Sequence, residues 1–286
     1  MMKRMLLVML FAVNAFAQRN PADYTRVLLP VHRSVSASYG GWTVQWHFRN
    51  EGKSAADVFP LAWMCGLPLP GPGVSIIGKP ALPPERTMLC HAGDVIPSPL
   101  VPPSVPIVSD RPGAFLYVET AAIDQVTIGG SLNWVTFGSP KAAAPAQLRA
   151  VPEGEFLRGT RSILSVPKVS GSRYALRIYA LPETAQGARV TVRVYDIRSA
   201  RQTAEETLLS TTTLTLDPPT GAVAPCFGGC DLPAAGYLPA TAQLFDFIGG
   251  GETSLRIEIE PDSDALRWWA VLSSTSVTND VGIFTP

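Results

Sequence analysis

Two short sequence patterns occur twice in this chain, at nearly the same separation. The first pattern places apolar residues after an arginine: Arg26, Leu28, Leu29 and Val31 in one copy, and Arg161, Ile163, Leu164 and Val166 in the other. The second pattern places a glutamate after two apolar residues: Leu116, Val118 and Glu119, and again Leu255, Ile257 and Glu258. The two patterns begin 90 residues apart in the first copy and 94 residues apart in the second. Matched patterns at a matched separation predict two similar domains in tandem.

Alternation of apolar and polar residues predicts that these domains are built from antiparallel strands. In residues 42–48 every second side chain is apolar, and residues 174–178, 189–195 and 254–260 alternate in the same way. A period of two is what a strand with one buried face requires. The Gly, Pro, Asn and Asp residues between these strands are typical of a β-sandwich. No segment shows the 3.6-residue apolar period of a long helix, and only residues 203–208 are compatible with a short helical turn.

The N-terminus has the three parts of a secretory signal peptide. Lys3 and Arg4 precede an apolar run over residues 5–13, and Ala15-Phe16-Ala17 is a small-residue cleavage pattern. We therefore expect residues 1–17 to be removed and the mature protein to be secreted or periplasmic. No cysteine follows the cleavage site to carry a lipid, and no later apolar run approaches about 18 residues, so membrane insertion is not expected.

The mature chain is almost neutral, because 21 basic and 23 acidic side chains remain after residue 17. This balance gives no field that would capture nucleic acid or anionic lipid. Charged residues make up 16% and hydrophobic residues 46% of the whole chain, which is typical of a packed globular protein and not of a disordered one.

The domain boundaries follow from the positions of the repeated patterns and from composition. We expect a first sandwich over residues 18–140, a linker over residues 141–150 and a second sandwich over residues 151–286. Residues 68–112 contain 12 prolines, too many for interior strands, because proline cannot donate a ladder hydrogen bond. That region is predicted to be an extended loop with at most short edge strands, and residues 217–239 are its counterpart in the second domain. Long loops on a sandwich are where binding surfaces usually lie.

The cysteines predict disulfides. Cys65, Cys90, Cys226 and Cys230 are an even number in a chain that is expected to be exported to an oxidising compartment. Four cysteines allow three connectivities, and two separate domains favour pairing the first two and the last two, because each bridge then stays within one domain. The alternative is a zinc or copper site, because His91 follows Cys90 directly, although no histidine accompanies the second pair.

Four segments resemble a known group of proteins. They are Gly113-Ala-Phe-Leu-Tyr-Val-Glu119, Tyr174-Ala-Leu-Arg-Ile-Tyr179, Val190-Thr-Val-Arg-Val-Tyr-Asp196, and the ending from Trp268-Trp-Ala-Val-Leu-Ser-Ser-Thr275 to Thr285-Pro286. Together they are similar to a group of secreted bacterial proteins with tandem immunoglobulin-like β-sandwich domains. The resemblance covers most of the mature chain and implies an all-β fold of two tandem immunoglobulin-like antiparallel β-sandwich domains. Its motifs are strand patterns without catalytic content, so it implies no site residues.

The sequence has no pattern that indicates an enzyme. Its three histidines, His32, His47 and His91, are not accompanied by the Gly-x-Ser-x-Gly motif that marks a nucleophile. Glu258 and Glu260 project from one face of a predicted strand, and a glycosidase needs two facing carboxylates. Acids on the outward face of an amphipathic strand are, however, ordinary solvated residues. We therefore expect no catalytic activity and no cofactor.

One acidic stretch is a candidate for calcium. Glu260, Asp262 and Asp264 could supply oxygen ligands to Ca²⁺ from a loop after the strand. The loop lacks the glycine and the final glutamate of an EF-hand, so a solvated turn is the interpretation that we prefer.

Aromatic residues are the candidates for ligand binding. Trp268 and Trp269 are adjacent, so in a strand they must point to opposite faces. One can lie in the core, and the other is either covered by a loop or the neighbouring domain, which we favour, or exposed and able to stack on a sugar ring. Trp63 and Tyr237, near the expected disulfides, are similar candidates.

These observations predict a non-catalytic secreted protein with an interaction, adhesion or scaffold role. Its expected partner is a protein or a glycan at the cell envelope, with no nucleic acid and no membrane insertion. The alternative is a carbohydrate-binding sandwich protein that uses exposed tryptophans.

Overall fold

The structure, a computed structural model of the chain, is all-β. Strands make up most of the residues that it describes, and each helix among them is a 3-10 turn of three to six residues. None of these described helices is long and apolar enough to cross a membrane. The residues that the structure describes are 21–30, 35–37, 40–59, 81–92, 113–136, 145–169, 171–184, 187–200, 203–216, 238–246, 254–275 and 281–286.

The first half of the chain forms two antiparallel sheets. Its described strands are β1 (Tyr24–Pro30), β2 (Val35–Ala37), β3 (Gly40–Asn50), β4 (Ala56–Phe59), β5 (Ala81–Leu82), β6 (Thr87–Ala92), β7 (Gly113–Glu119), β8 (Val126–Thr136), β9 (Ala146–Arg149) and β10 (Val151–Pro152). One sheet has the order β10-β1-β7-β4-β5, and the other has the order β2-β3-β8-β9 with β6 also paired to β3. The short strands β5 and β6 confirm the expectation of edge strands for the described part of the proline-rich region.

The second half forms two four-stranded antiparallel sheets. Its described strands are β11 (Arg161–Pro167), β12 (Arg173–Ala180), β13 (Arg189–Ala200), β14 (Thr203–Thr215), β15 (Leu238–Asp246), β16 (Ser254–Pro261), β17 (Trp268–Thr275) and β18 (Val281–Phe284). The sheet orders are β11-β16-β13-β14 and β15-β12-β17-β18.

The two halves have the same strand order. The run β1-β7-β4-β5 of the first half corresponds to β11-β16-β13-β14 of the second, and β6-β3-β8-β9 corresponds to β15-β12-β17-β18. The repeated sequence patterns lie on equivalent strands, the first beginning on β1 and β11 and the second lying on β7 and β16. Within each half those two strands are adjacent and antiparallel. The doubled sequence therefore corresponds to a doubled sheet topology.

In each half the two sheets pack face to face over an apolar core. In the first half Val44, Trp46 and Phe48 point inward from β3, while His47 is exposed, which confirms the alternation seen in the sequence. The second core collects buried side chains from both sheets, among them Ile163, Tyr174, Val192, Ile257 and Trp268. Burial of these faces is the main force holding each sandwich together, since apolar burial contributes about 25 cal/mol per Å².

The helical turn considered for residues 203–208 is wrong, because these residues are the first part of strand β14. β13 and β14 pair from Ala200 with Thr203 to Arg189 with Thr215, with one register shift between Val194 and Tyr195. This ladder gives hydrogen-bond partners to the backbone groups on one side of β14.

The segment predicted to be a linker is partly a strand. Residues 146–149 form β9, which pairs with β8, and Leu148 belongs to the first core. Residues 151 and 152 then pair with β1 as β10. The chain therefore binds to both sheets of the first half before it enters the second.

Candidate functional site

The two halves meet through sheet faces that are turned away from their own cores. Strands β1, β7, β12 and β17 have buried apolar residues at consecutive positions, so both faces of each strand are covered. The outward-facing residues form one cluster with residues of the connecting segment, residues 151–157. The members of this cluster are Leu28, Phe115, Val151, Phe156, Tyr179, Leu181, Trp269 and Val271. We call this cluster the junction.

The connecting segment is bound to both halves. Strand β10 pairs with β1 of the first half, and the ring centroids of Phe115 and Phe156 lie 6.0 Å apart. Leu157 exchanges two backbone hydrogen bonds with Trp268 of the second half, with N to O distances of 2.8 Å and 3.1 Å. A connection that is hydrogen-bonded at both ends leaves the halves little freedom to swing, unlike an exposed flexible linker.

Arg26, at the rim of the junction, binds Glu153 of the connecting segment and Glu183 of the second half. Its Nε and Nη2 atoms donate to Oε2 of Glu153 at 2.8 Å and 2.6 Å. Its Nη1 atom donates to Oε2 of Glu183 at 2.9 Å, and Nη2 also contacts Glu183. Nη2 of Arg267 donates to the backbone carbonyl oxygen of Glu153. Because the planar guanidinium offers donors in fixed directions, this arrangement sets the orientation of the halves as well as their attraction.

The ion pairs shift the titration of the groups around Arg26. Burial would lower the pKa of the Arg26 guanidinium, but hydrogen bonds to Glu183 and Glu153 outweigh burial, and the pKa is raised. The hydrogen bond from Arg26 lowers the pKa of Glu183, with burial opposing it. Burial raises the pKa of Tyr117, which pairs with Arg26 in the sheet, and the arginine charge partly offsets that rise. At neutral pH the rim therefore contains a charged arginine, a charged Glu183 and a neutral tyrosine.

We expect the junction to weaken in acid. The pKa of Glu183 in the folded protein is below its ordinary value of 4.5. Its contribution to stability is therefore complete above that value and is lost as the pH falls through the lowered folded pKa. The effect should be modest, because the Glu183 side chain is 51% exposed. It can be measured as the change in the midpoint of thermal unfolding between about pH 6 and pH 3.

Glu183→Gln is the variant that isolates this effect. This variant should lose less stability in acid than the wild type. Glu258→Gln should reduce a separate contribution to the acid-dependent loss of stability, because a hydrogen bond from Arg256 lowers the pKa of Glu258. An acid dependence of Glu183→Gln identical to that of the wild type would show that the pair with Arg26 adds no stability.

The two carboxylates considered for glycosidase chemistry lie in a charged network on an outer sheet face. Arg193 binds Glu258 at 2.9 Å and Glu260 at 2.6 Å. Arg256 binds Glu258 at 2.6 Å and Glu206 at 2.7 Å. A catalytic acid in a glycosidase needs a raised pKa, whereas the pKa of Glu258 is lowered. The pair is thus arranged as a surface ion network.

Trp268 and Trp269 point to opposite faces of β17, as adjacent strand residues must. Trp268 is 0% exposed in the second core, and its Nε1 atom donates to the carbonyl oxygen of Gly159 at 3.2 Å. Trp269 is 6% exposed and lies in the junction, so the first half covers it, as we favoured from the sequence. Neither ring presents a free face on which a sugar could stack.

The candidate calcium ligands Glu260, Asp262 and Asp264 lie at the end of β16 and in the turn that follows. Glu260 is bound by Arg193, and the amide of Asp262 donates to the carbonyl oxygen of Arg189 at 3.0 Å. In the part of the chain that the structure describes, no three His, Cys, Asp or Glu side chains are placed to hold a metal ion. The calcium site and the solvated turn both stay predictions from the sequence.

Other predicted residues lie outside the described residues: Cys65, Cys226, Cys230, Trp63, Tyr237, His32 and the signal peptide. Cys90 and His91 lie in strand β6, where they pair in register with Trp46 and Gln45. The disulfide pairing and the role of the loop aromatics therefore stay predictions.

The sequence predicted a covered tryptophan between the domains, but neither the other residues of the junction nor the ion pairs of Arg26. Arg26 stood out only as the start of a repeated pattern, and its sequence equivalent, Arg161, is exposed and donates to the carbonyl oxygen of Thr160. The signal that could have indicated the junction is the uninterrupted apolar character of residues 27–29 and 268–272, since a strand with one wet face alternates.

Comparison with known proteins yields no relative: no protein-family model matches the chain, and neither a curated protein nor a solved structure matches it. What the junction does must therefore follow from its own contacts.

Proposed function

We propose that this is an exported, non-catalytic protein of two immunoglobulin-like sandwiches in tandem, acting as a rigid scaffold or interaction module at or beyond the cell envelope. The observation that carries the proposal is the junction. Eight buried apolar side chains and the ion pair of Arg26 with Glu183 hold the halves together. A rigid pair of sandwiches presents the loops at its ends at a constant separation, which is what a scaffold or adhesion module requires.

The strand order supports the immunoglobulin-like part of the proposal. In immunoglobulin domains the second strand lies beside the fifth, and the third lies beside the sixth. Leaving the short β2 aside, each half has the same two adjacencies, β3 with β6 and β4 with β7, and β12 with β15 and β13 with β16. The outer strands are arranged differently, because the first strand lies beside the sixth and the seventh beside the second. The likeness is therefore to the central four-strand arrangement.

The charge pairing supports a non-catalytic role. Glu258 and Glu260 are both bound by arginine on an open sheet face, and a hydrolase needs its acid and base in a cleft that excludes water. The glycan alternative loses the ring faces of Trp268 and Trp269, so of the four candidate aromatic residues only Trp63 and Tyr237, which lie outside the described residues, are left to support it.

The scaffold role is tested by measuring whether the halves move independently. Small-angle X-ray scattering of the mature chain from Gln18 should fit a single rigid particle. Arg26→Ala should broaden the distribution of sizes and lower the free energy of unfolding by about 1 to 2 kcal/mol, because it removes charge-assisted hydrogen bonds at a partly exposed site. Arg49→Ala is the matched control, because its ion pair with Glu51 is exposed and lies within the first half.

Two results would contradict the proposal. One is wild-type scattering that fits two independently moving sandwiches. The other is turnover of a glycoside or ester substrate by the purified mature chain. A glycan array and an envelope pull-down with the same mature chain then separate a sugar partner from a protein partner.

A further inference from the structure

Strand β14 is a long sheet edge. It has 13 residues, the most of any described strand, and at about 3.3 Å per residue it extends about 43 Å. It pairs with β13 along one side, and no described strand lies beside its other side. Such an edge presents a row of backbone donors and acceptors that can pair with another strand.

The other long described edges of the second half carry features that prevent pairing, and β14 has few of them. β11 and β15 are shorter, with seven and nine residues, and each contains a proline. β14 contains no proline, lysine or arginine. Two adjacent leucines on it, Leu208 and Leu209, are 51% and 40% exposed. Exposed apolar residues on an unprotected edge indicate a surface that binds.

One irregularity divides β14 into two regular arms, residues 203–208 and 210–215. Val194 pairs with Ser210 and Tyr195 pairs with Leu208, so Leu209 is an extra residue that forms a bulge. The bulge changes which face alternate residues occupy. Glu206, bound to Arg256, and Thr211, paired with Arg193, therefore lie on the same outer face although they are five positions apart.

We propose that β14 pairs with β14 of a second copy of this chain, antiparallel, with the two-fold axis between Leu208 and Leu209. In this register Leu208 lies opposite Leu209 of the second copy, and the exposed leucines of both copies meet at the axis. Each regular arm pairs with the other arm of the second copy, and the bulges face each other at the centre. The two sheets then join into one eight-stranded sheet, which is how strand addition extends an edge.

The charges of β14 favour this arrangement over a parallel one. Glu205 and Glu206 lie in one arm, and the other arm, residues 210–215, is uncharged. Antiparallel pairing places Glu206 opposite Thr211 and Glu205 opposite Thr212 of the second copy, with matching faces. Parallel pairing in register would instead place the glutamates of the two copies side by side, and like charges directly opposite each other destabilise a sheet.

The dimer is expected to be weak, because its interface is small and consists of two strand edges and four leucines. We expect a dissociation constant on the order of 10 to 100 µM. The average mass of the mature chain, measured by sedimentation equilibrium over a range of concentrations that includes this value, should rise from one copy to two.

Leu208→Lys tests the surface. A lysine at the centre of the edge should weaken dimerisation at least about tenfold, since lysine is a common protection of edge strands. Leu164→Lys is the matched control, because Leu164 is 59% exposed on β11, the opposite edge of the same sheet. The control should dimerise like the wild type, and far-ultraviolet circular dichroism confirms that both variants are folded.

Thr211 tests the register. Thr211→Glu places a carboxylate opposite Glu206 of the second copy and should weaken the dimer, whereas Thr211→Lys places an opposite charge there and should not. A mass that stays at one copy at all concentrations overturns the proposal. If Leu208→Lys and Leu164→Lys weaken the dimer equally, the proposed surface is wrong. If both Thr211 variants weaken the dimer equally, the proposed register is wrong. None of these outcomes depends on whether the halves are rigidly joined, so this test is independent of the proposed function.

Discussion

Replacing Trp268 with alanine is expected to lower the free energy of unfolding by about 3 to 5 kcal/mol, which is the usual loss for an aromatic residue removed from a packed core. The side chain is 0% exposed and belongs to the core of the second half. Its Nε1 donor is satisfied by the carbonyl oxygen of Gly159. The substitution therefore leaves a cavity and also leaves a partly buried carbonyl without this donor. Urea unfolding followed by circular dichroism measures the loss.

Trp269→Ala is the matched comparison, because it removes the same side chain at the next position of the same strand. Trp269 contributes to the junction and not to the core of the second half. Its removal should destabilise the protein less and should broaden the scattering profile, which Trp268→Ala should do only through unfolding. Equal losses and identical scattering for the two variants would contradict the assignment of the two rings to different clusters.

Replacing Gly130 with alanine is expected to cost about 1 to 3 kcal/mol through overpacking. A Cβ atom at this position would lie 2.7 Å to 2.9 Å from three ring atoms of Trp46. The ring is 1% exposed in the first core, so it cannot move aside without displacing its neighbours. Gly130→Val should cost more, because it adds two further carbons at the same contact.

Gly129→Ala is the control for this prediction. A Cβ at Gly129 meets nothing within 4 Å, so the change should stay within about 0.5 kcal/mol of the wild type. Both glycines lie in β8, which makes the difference in strand propensity the same for the two variants. A Gly130→Ala variant as stable as Gly129→Ala would show that the Trp46 ring does not pack closely against β8.

Strand β3 could be predicted clearly because it has a wet face opposite a buried one. In β3 the apolar side chains of Val44, Trp46 and Phe48 enter the core while His47 is exposed. Strict alternation of this kind is visible in the sequence, because the side chains of a strand change face at every residue.

The repeated patterns located equivalent strands but not equivalent side chains. Leu28 matches Ile163 by sequence, yet Leu28 lies in the junction and Ile163 lies in the core of its half. Leu29 is 0% exposed, whereas its match Leu164 is 59% exposed. The pairing of β11 with β16 shifts register between Ile163 and Val166, and Ser165 there has a positive φ of 56°. A bulge changes which face the following residues occupy, and a match between two short sequence patterns does not reveal a bulge.

Period-two alternation and internal repetition are local properties of the chain, so they were sufficient to predict an all-β protein whose two halves have equivalent strands. The folded structure was needed to show that Leu28 and Trp269 lie in the junction, that Arg26 binds Glu153 and Glu183, and that residues 146–149 pair with β8. These contacts could not be predicted because the residues are far apart along the chain. These contacts join residues from different strands and different halves, and their energy depends on which sheet faces meet, which no local pattern of residues specifies.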